Sequence, residues 1–215
     1  DLSLNTPAGA LTFTRKYRQS KQVDTNFQFM GLGWTHSHKA KLIVSGSSPY
    51  RRAEVLLPNG GVLVLKETAA ILGHFEAYPG SNSELAYDSG QFTLIAPDAS
   101  SYVFGHELVD TAGSLYRLES RAWANGETWT YSYTSDVTGT PESHQVESVD
   151  DGYGRGLQFS YVDNAGQFDN AQLWRVGDQE ATGLASSTPA GRYVEFTYTP
   201  EKSDGQIVTG AKALL

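Results

Sequence analysis

Two histidines separated by one serine, His36-Ser37-His38, form the most metal-like pattern in the chain. Alternate residues of a β-strand point to the same side, so two imidazoles in an extended segment could share a zinc ion. A protein zinc site needs at least three protein ligands, and the sequence offers no third one nearby. The chain also has no cysteine, which excludes disulfides and thiolate metal sites. We therefore predict neither a metal ion nor a cofactor.

Catalytic patterns are equally sparse. Asp150 and Asp151 could imitate a carboxylate pair, but adjacent strand residues point to opposite faces and cannot flank one bond. Next to Gly152 they are typical of a turn. No serine lies in a Gly-x-Ser-x-Gly sequence. We therefore predict that the protein is not an enzyme.

Aromatic side chains suggest a different chemistry, the stacking of sugar rings. The chain has four tryptophans and 12 tyrosines. Trp129 shares an alternating apolar register with Tyr131, which favours a place in the core. Trp123 is followed closely by Asn125 and Gly126, a typical turn pair, and it is the candidate for an exposed glycan-stacking ring.

The elements that would position these residues are repeated hairpins. A glycine, two spacers and an alternating strand that ends in tyrosine occur three times, at 126–133, 154–161 and 191–198. A short segment precedes each copy, at 118–121, 146–149 and 173–176. Strand, glycine turn and strand predict a β-hairpin, and a repeated hairpin predicts an array. Tyr131, Phe159 and Phe196 should then occupy equivalent buried positions.

The spacing of the repeats locates an insertion. The first two glycines lie 28 residues apart, whereas the third follows after 37. The preceding segments are spaced by 28 and then 27 residues, so ten extra residues fall in the loop before Gly191. The loops 135–144 and 177–191 are rich in Gly, Ser, Thr, Pro and acids. Such loops are solvated and carry function more often than their length would suggest.

Other segments complete an all-β prediction. Residues 10–18 and Trp34–Val44 each alternate like a half-buried strand. Apolar residues, a Pro-Asn or Pro-Asp turn and a returning strand occur at Pro58 and again 39 residues later at Pro97, which predicts two further hairpins. The only helix candidate is Glu67–Leu72. We expect consecutive antiparallel β-hairpins in a curved, twisted repeat sheet.

Charge and hydropathy restrict the partners. The net charge is −8, no Lys or Arg lies between Lys66 and Arg117, and adjacent basic residues occur only as the pairs Arg15-Lys16 and Arg51-Arg52. This pattern argues against nucleic-acid binding. No apolar run approaches the roughly 20 residues of a membrane span. The chain begins at Asp1 without methionine, so we expect a processed product or an excised piece.

The opening of the chain resembles a known family. The segments Leu11-Thr-Phe-Thr-Arg15-Lys-Tyr17 and Gly31-Leu-Gly33-Trp34-Thr-His36-Ser are similar to the first domain of bacterial RHS (YD-repeat) proteins. The three hairpins resemble degenerate YD repeats, in which Thr134, Val162 and Thr199 replace the aspartate. The positions that match family motifs, all with structural roles, are Arg15, Tyr17, Gly31, Gly33, Trp34, His36, Gly126, Tyr133, Gly154, Tyr161, Gly191 and Tyr198.

This resemblance implies a single RHS-like β-repeat domain over 1–215, with an N-terminal part at 1–114, degenerate hairpin repeats at 115–200 and a tail at 201–215. Proteins of the family wind β-strands into a hollow shell that encloses a C-terminal effector in polymorphic toxins or forms a surface adhesion module. The implied function is a structural segment of such a shell, which encloses or presents a toxin or mediates surface contact. The implied location is secreted or at the cell surface.

Two hypotheses about the binding partners stay open. If the protein is a shell segment, it should contact the remainder of the same chain or another protein. A solenoid fragment also ends on unpaired strands, so self-association through the edge strand Tyr193–Thr199 is expected unless the missing chain, the tail or a second copy covers it. The alternative is a carbohydrate-binding or cell-surface adhesion module that uses exposed aromatics and loops to bind glycans.

Overall fold

A computed structural model describes residues 2–6, 9–17, 34–58, 60–77, 81–110, 113–135, 145–162, 172–181, 184–185, 189–198 and 209–214. Within these ranges all of the regular secondary structure is β-strand, as predicted. The described residues accordingly include no helix that could cross a membrane. The strands are β1 (Leu2–Thr6), β2 (Gly9–Phe13), β3 (Arg15–Tyr17), β4 (Trp34–His36), β5 (Lys41–Ser45), β6 (Arg52–Leu56), β7 (Val62–Thr68), β8 (Ile71–Ala77), β9 (Glu84–Asp88), β10 (Gln91–Ile95), β11 (Ser101–Asp110), β12 (Gly113–Ala122), β13 (Thr128–Tyr133), β14 (Val146–Asp150), β15 (Gly156–Val162), β16 (Gln172–Asp178), β17 (Tyr193–Tyr198) and β18 (Thr209–Leu214).

The chain divides into two compact units. Residues 39–144 form one of them, here the barrel unit. Residues 1–38 and 145–215 form the other, here the split unit. No linker between two domains is predicted from the sequence, although the second boundary directly follows the loop 135–144, which is rich in Gly, Ser, Thr, Pro and acids. A single RHS-like domain with parts that meet at residue 114 stays a prediction.

In the barrel unit, eight strands close into a ring. Each strand from β5 to β12 pairs antiparallel with the next one along the chain. The ring closes because β12 also pairs with β5, with Leu115 opposite Ile43. The far end of β12 pairs with β13. Consecutive antiparallel hairpins are thus confirmed, and the closure of the sheet, which removes its edges, is a feature that the sequence did not reveal.

Alternation along these strands fills the barrel. In β5 and β10 buried residues alternate with more exposed ones, as the two-residue period of a strand requires. An eight-stranded barrel is narrow enough for inward side chains to fill it. Among the described side chains of the ring, the apolar residues with no exposed surface are Leu42, Ala53, Val55, Leu65, Phe75, Leu85, Phe92, Leu94, Phe104 and Leu118.

In the split unit, β14 to β18 each pair antiparallel with the next strand along the chain. Two short pairs, β1–β2 and β3–β4, complete its strands. The core contains an aromatic cluster in which the Phe13 ring centroid lies 5.4 Å from His36, 5.9 Å from Phe159 and 5.7 Å from Phe196. The sequence repeats therefore supply rings to one core with the N-terminal segment.

The three repeats share one strand register. In the first, Ser120 is opposite Thr130, and in the second Ser148 is opposite Gln158, so both partners move by 28 residues. In the third, Arg175 is opposite Glu195, a shift of 27 on one strand and 37 on the other. These are the spacings of the sequence pattern. Equivalent burial is also confirmed: Tyr131 and Phe159 are each 7% exposed, and Phe196 is 3% exposed.

Two local predictions are wrong, and the one helix candidate is not a helix. The strand predicted from Trp34 to Val44 breaks after His36, because Ser37 turns toward β2 and its hydroxyl donates to the Thr12 carbonyl. The strand predicted at 10–18 breaks at Thr14, where the backbone N–H donates to the Ser37 hydroxyl. The helix candidate Glu67–Leu72 is instead the turn between β7 and β8, with Thr68 paired to Ile71. In the two strand cases, hydrogen bonds between segments distant in sequence outweigh the local pattern.

Candidate functional site

The hairpin turns of the second and third repeats build the candidate site. In the second repeat the backbone N–H of Asp151 donates to the carbonyl of Arg155, which closes a five-residue turn. In the third repeat the equivalent bond runs from Asp178 to Arg192, so the ten inserted residues lie inside the turn. The insertion predicted from the repeat spacing is therefore a loop at the tip of the β16–β17 hairpin.

The described part of this loop is packed against the sheet. Arg175 lies beneath it, where its Nε donates to a Glu195 carboxylate oxygen at 2.7 Å and its Nη1 donates to the Leu184 carbonyl at 2.8 Å. Leu184 and Ala181 are buried. A Cβ on Gly191 would lie 2.7 Å from the Ala181 Cα, so only glycine allows this approach. These contacts give the loop a fixed base.

Between the two turns lies a cavity of about 190 Å³. Its lining combines charged and polar side chains with glycine backbone, and comes from the second turn, the start of the insertion and the end of the insertion. The lining residues are Gly154, Arg155, Gly156, Asp178, Gln179, Glu180 and Arg192. The two arginines are equivalent in the repeat, since each directly follows its turn glycine. Sequence reasoning did not single them out, although the insertion and the shared Gly-Arg pair were visible signals.

Opposite charges form the cavity wall. The Nε of Arg192 donates to Oδ2 of Asp178 at 2.9 Å. The Asp178 side chain is only 8% exposed, whereas that of Arg192 is 61% exposed. The amide of Gln179 donates to Asp150 at 3.3 Å. The buried aspartate thus holds one edge of the guanidinium and leaves the two Nη groups toward solvent.

This arrangement is suited to binding a planar oxyanion. A guanidinium that is held through Nε can offer both Nη groups as a fork to a planar oxyanion. Glu180 adds a negatively charged hydrogen-bond acceptor to the same lining. In the described residues no group of three or more His, Asp or Glu side chains is arranged to hold a metal ion.

The opening-motif residues lie mainly in the split unit's core. The Arg15 guanidinium carbon lies 5.1 Å from the centre of the Phe196 ring, a cation–π contact. His36 is 4% exposed and packs on Phe13 and Phe159. The backbones of Tyr17 and Trp34 pair with each other, while their side chains and Gly31 and Gly33 lie outside the described residues. These placements are structural and involve none of the cavity lining.

The His36-Ser-His38 pattern is explained by local packing. His38 is 1% exposed, and its Nε2 lies 2.9 Å from the Thr12 carbonyl oxygen. Its backbone N–H donates to Nδ1 of His36 at 3.3 Å. Because the strand ends at His36, the two residues do not share the face of one strand. Both imidazoles help to fix the turn that follows β4.

The repeat tyrosines have one shared role. The Tyr133 hydroxyl donates to the Leu118 carbonyl at 2.7 Å, and the Tyr161 hydroxyl donates to the Val146 carbonyl at 3.0 Å. Each bond joins the final tyrosine to the first residue of its repeat. Burial raises the pKa of the Tyr133 phenol, so this group stays a neutral donor. Tyr198 ends β17, and its side chain is outside the described residues.

The repeat glycines occupy turn positions that need a left-handed backbone. Gly126, Gly154 and Gly191 have φ angles of +86°, +81° and +90°. In the hairpin after β10 the same turn position is taken by Ala99, with φ of +60° and the same backbone bonds as the Gly126 turn. The glycines are therefore explained by turn geometry without a ligand.

Trp123 is only partly exposed. Its ring centroid lies 4.2 Å from that of Trp129 in an edge-to-face arrangement, and the Arg121 guanidinium lies 4.2 Å from its ring. Trp129 is buried, as its register predicted, and its indole N–H donates to Glu127 at 3.0 Å. Glycan stacking on Trp123 stays a prediction, and these contacts occupy part of the ring surface that it would use.

A buried ion pair in the barrel unit was not found from the sequence. The Glu67 carboxylate accepts from Arg51 Nε at 3.0 Å and Nη2 at 2.6 Å, and also from the Gly73 backbone N–H at 2.9 Å. Hydrogen bonds from Arg51 are the main reason why the pKa of Glu67 falls to about 2. Its alternation in β7 places Glu67 on the inward face, which was the available signal.

Comparison of the fold with solved structures gives several matches, among them two that cover nearly the whole chain. The N-terminal domain of effector protein SpvB from Salmonella typhimurium strain LT2 matches with a TM-score of 0.56 and 13% identity, over 100% of this chain and 99% of that one. The structure of TcdB2-TccC3 matches with a TM-score of 0.52 and 14% identity, over 96% of this chain. The match covers 16% of the TcdB2-TccC3 chain, so this protein spans only a small part of its length.

By sequence, no protein-family model matches the chain, and no curated protein matches it. At 13–14% identity the two structural matches establish a common fold. The protein therefore has the all-β architecture of the N-terminal domain of a bacterial effector protein.

Proposed function

We propose that this protein is a structural β-repeat segment of an RHS-type shell, which encloses or presents a toxin or effector or mediates surface contact. The observation that carries the proposal is the match to essentially the whole N-terminal domain of effector protein SpvB. Three hairpins in one register add the repeat character that the resemblance to YD-repeat proteins implies. The RHS-like opening motif is consistent with the same assignment.

The physical basis of this role is the wall that the hairpins form. Each added hairpin satisfies its backbone donors and acceptors against its neighbour and buries an alternating row of side chains. Such a wall needs no catalytic residue, and we propose that the protein catalyses no reaction. An effector-associated wall of this kind would act outside the producing cell, in a secreted protein or at the cell surface.

Protection from protease tests the proposal. The chain would be expressed together with the polypeptide that its own gene encodes next to it, and the cleavage rate of that polypeptide would be followed during limited proteolysis. Enclosure or docking should slow its cleavage by about tenfold or more, because access then requires local opening of the wall.

The control is the same polypeptide fused to an unrelated β-barrel domain of similar size. If the chain is a shell segment, the polypeptide should be cleaved slowly beside it and rapidly when it is fused to the unrelated barrel. Equal cleavage rates in the two fusions would overturn the proposed shell function.

A further inference from the structure

We propose that the cavity between the second and third hairpin turns binds a small zwitterion of the amino-acid class, with the ligand carboxylate on Arg192 and the ligand ammonium on Glu180. This inference goes beyond the proposed structural role and does not depend on it. It rests on the cavity, on the anchored arginine and on the balance of charge in the lining.

The cavity exists because of the insertion. The first two repeats close their turns over five residues, whereas the third holds ten more residues between the same two bonded positions. A wall segment needs no such insertion, because the shorter turns already join their strands in the same register. Arg175 fixes the loop through the Leu184 carbonyl, so the cavity wall is positioned before any ligand arrives.

Arg192 supplies the carboxylate-binding group. Its Nε is engaged by the buried Asp178, and within the described residues its two Nη groups have no hydrogen-bond partner. Anchoring through Nε fixes the plane of the guanidinium, and the remaining edge matches the two oxygens of a carboxylate. Arg155, from the equivalent position of the preceding repeat, adds positive charge to the same lining.

Glu180 makes a zwitterion a better ligand than a simple anion. It lines the cavity, is exposed, and has no hydrogen-bond or ion-pair partner among the residues that the structure describes. A ligand with only negative charge would face the repulsion of this carboxylate, and a ligand with only positive charge would face both arginines. A molecule that carries an ammonium beside a carboxylate can satisfy both charges at once.

The size of the cavity restricts the ligand. The cavity volume of about 190 Å³ is below the roughly 300–1,000 Å³ of pockets that take drug-sized ligands. This space suits a single amino acid. The cavity is open to solvent, which indicates modest affinity, with a Kd of about 10 µM to 1 mM.

Isothermal titration calorimetry on the whole chain would test the proposal. The twenty standard L-amino acids would be titrated individually, and the tightest ligand would be compared with its N-acetyl and carboxamide derivatives. We expect saturable binding of at least one amino acid, and a loss of about tenfold or more for each derivative, because each lacks one of the two charges. The absence of binding by all twenty, or full affinity in either derivative, would overturn the proposal.

Substitutions test the two assigned contacts. Arg192→Lys keeps the charge but removes the fork, and Glu180→Gln keeps the shape but removes the charge; each should weaken binding by about tenfold. Arg52→Lys and Glu54→Gln, on the exposed surface of the barrel unit, are the matched controls and should bind like the original chain. Far-ultraviolet circular dichroism would confirm that each variant is folded. Wild-type affinity in either cavity variant would refute the assignment.

Discussion

Replacement of Glu67 by glutamine should destabilise the barrel unit far more than the same replacement at the surface. The Glu67 side chain is fully buried and its partner Arg51 is 22% exposed. The carboxylate also accepts from the backbone N–H of Gly73 and the hydroxyl of Ser48. Glutamine keeps the shape of the side chain but leaves Arg51 without a charged partner and places an amide where these donors converge.

The pKa of Glu67 gives the magnitude. A fall from 4.5 to about 2 corresponds, at about 1.36 kcal/mol for each pKa unit, to about 3 kcal/mol of stabilisation. Water reaches part of the Arg51 guanidinium and screens the pair, so we expect about 2 to 3 kcal/mol from the charged form. The cost of Glu67→Gln at pH 7 should be of the same order.

Urea unfolding followed by circular dichroism would measure this cost. The matched control is Glu54→Gln, which removes the carboxylate of the Arg52–Glu54 pair at 2.9 Å, where both side chains are well exposed. The control should change the free energy of unfolding by less than about 0.5 kcal/mol. Equal losses of unfolding free energy in the two variants would mean that burial of the Arg51–Glu67 pair adds nothing to stability.

The pH dependence supplies a second check with a defined sign. The folded pKa of Glu67 is lowered, so its stabilisation is fully present above the ordinary pKa of 4.5 and is lost as the pH falls from there toward 2. The difference in unfolding free energy between the original chain and Glu67→Gln should shrink over this window. A difference that stays constant from pH 6 to pH 2 would refute the reasoning.

Three further predictions concern the repeats. Phe159→Ala should lower the free energy of unfolding by about 3–5 kcal/mol, because it opens a cavity beside Phe13. Tyr153 is exposed on the turn of the same hairpin, so Tyr153→Ala should change the free energy of unfolding by less than about 0.5 kcal/mol. Similar losses for the two variants in urea unfolding would contradict this prediction. Gly126→Ala should cost about 1–2 kcal/mol at its φ of +86°, while Ala99→Gly should not destabilise, and calorimetric melting that showed the reverse order would exclude backbone strain as the cause. Truncation after Pro200 removes β18, which pairs with β17, and should cause self-association in light scattering through the exposed edge; a truncated chain as monomeric as the complete one would contradict the edge argument.

The repeats show how much of the fold the sequence determined. A two-residue alternation and a turn glycine specify a hairpin locally, so both the hairpins and their register followed from spacing alone. The burial of Tyr131, Phe159 and Phe196 followed from the same register. Strand pairing is a short-range consequence of these patterns, and nothing from distant parts of the chain was needed to infer it.

The closure of the barrel was decided by tertiary structure. Pairing of β12 with β5 joins residues that lie about 70 positions apart, and no local pattern specifies which distant strand edge will meet another. The partner of the edge strand β17 was also decided by tertiary structure. The sequence predicted that the missing chain, the tail or a second copy would cover this edge, and in the structure the tail covers it with β18. The breaks at Thr14 and Ser37 also arise from mutual hydrogen bonds between segments separated by 23 residues.

The candidate site divides in the same way. The sequence by itself determined that the third repeat carries ten extra residues and that arginine follows each of the last two turn glycines. Only the tertiary structure brought Arg155 and Arg192 to one cavity and buried Asp178 against the latter. The physical reason is that alternation and turn chemistry act between neighbouring residues, whereas charges become a site only when separate turns fold to the same place.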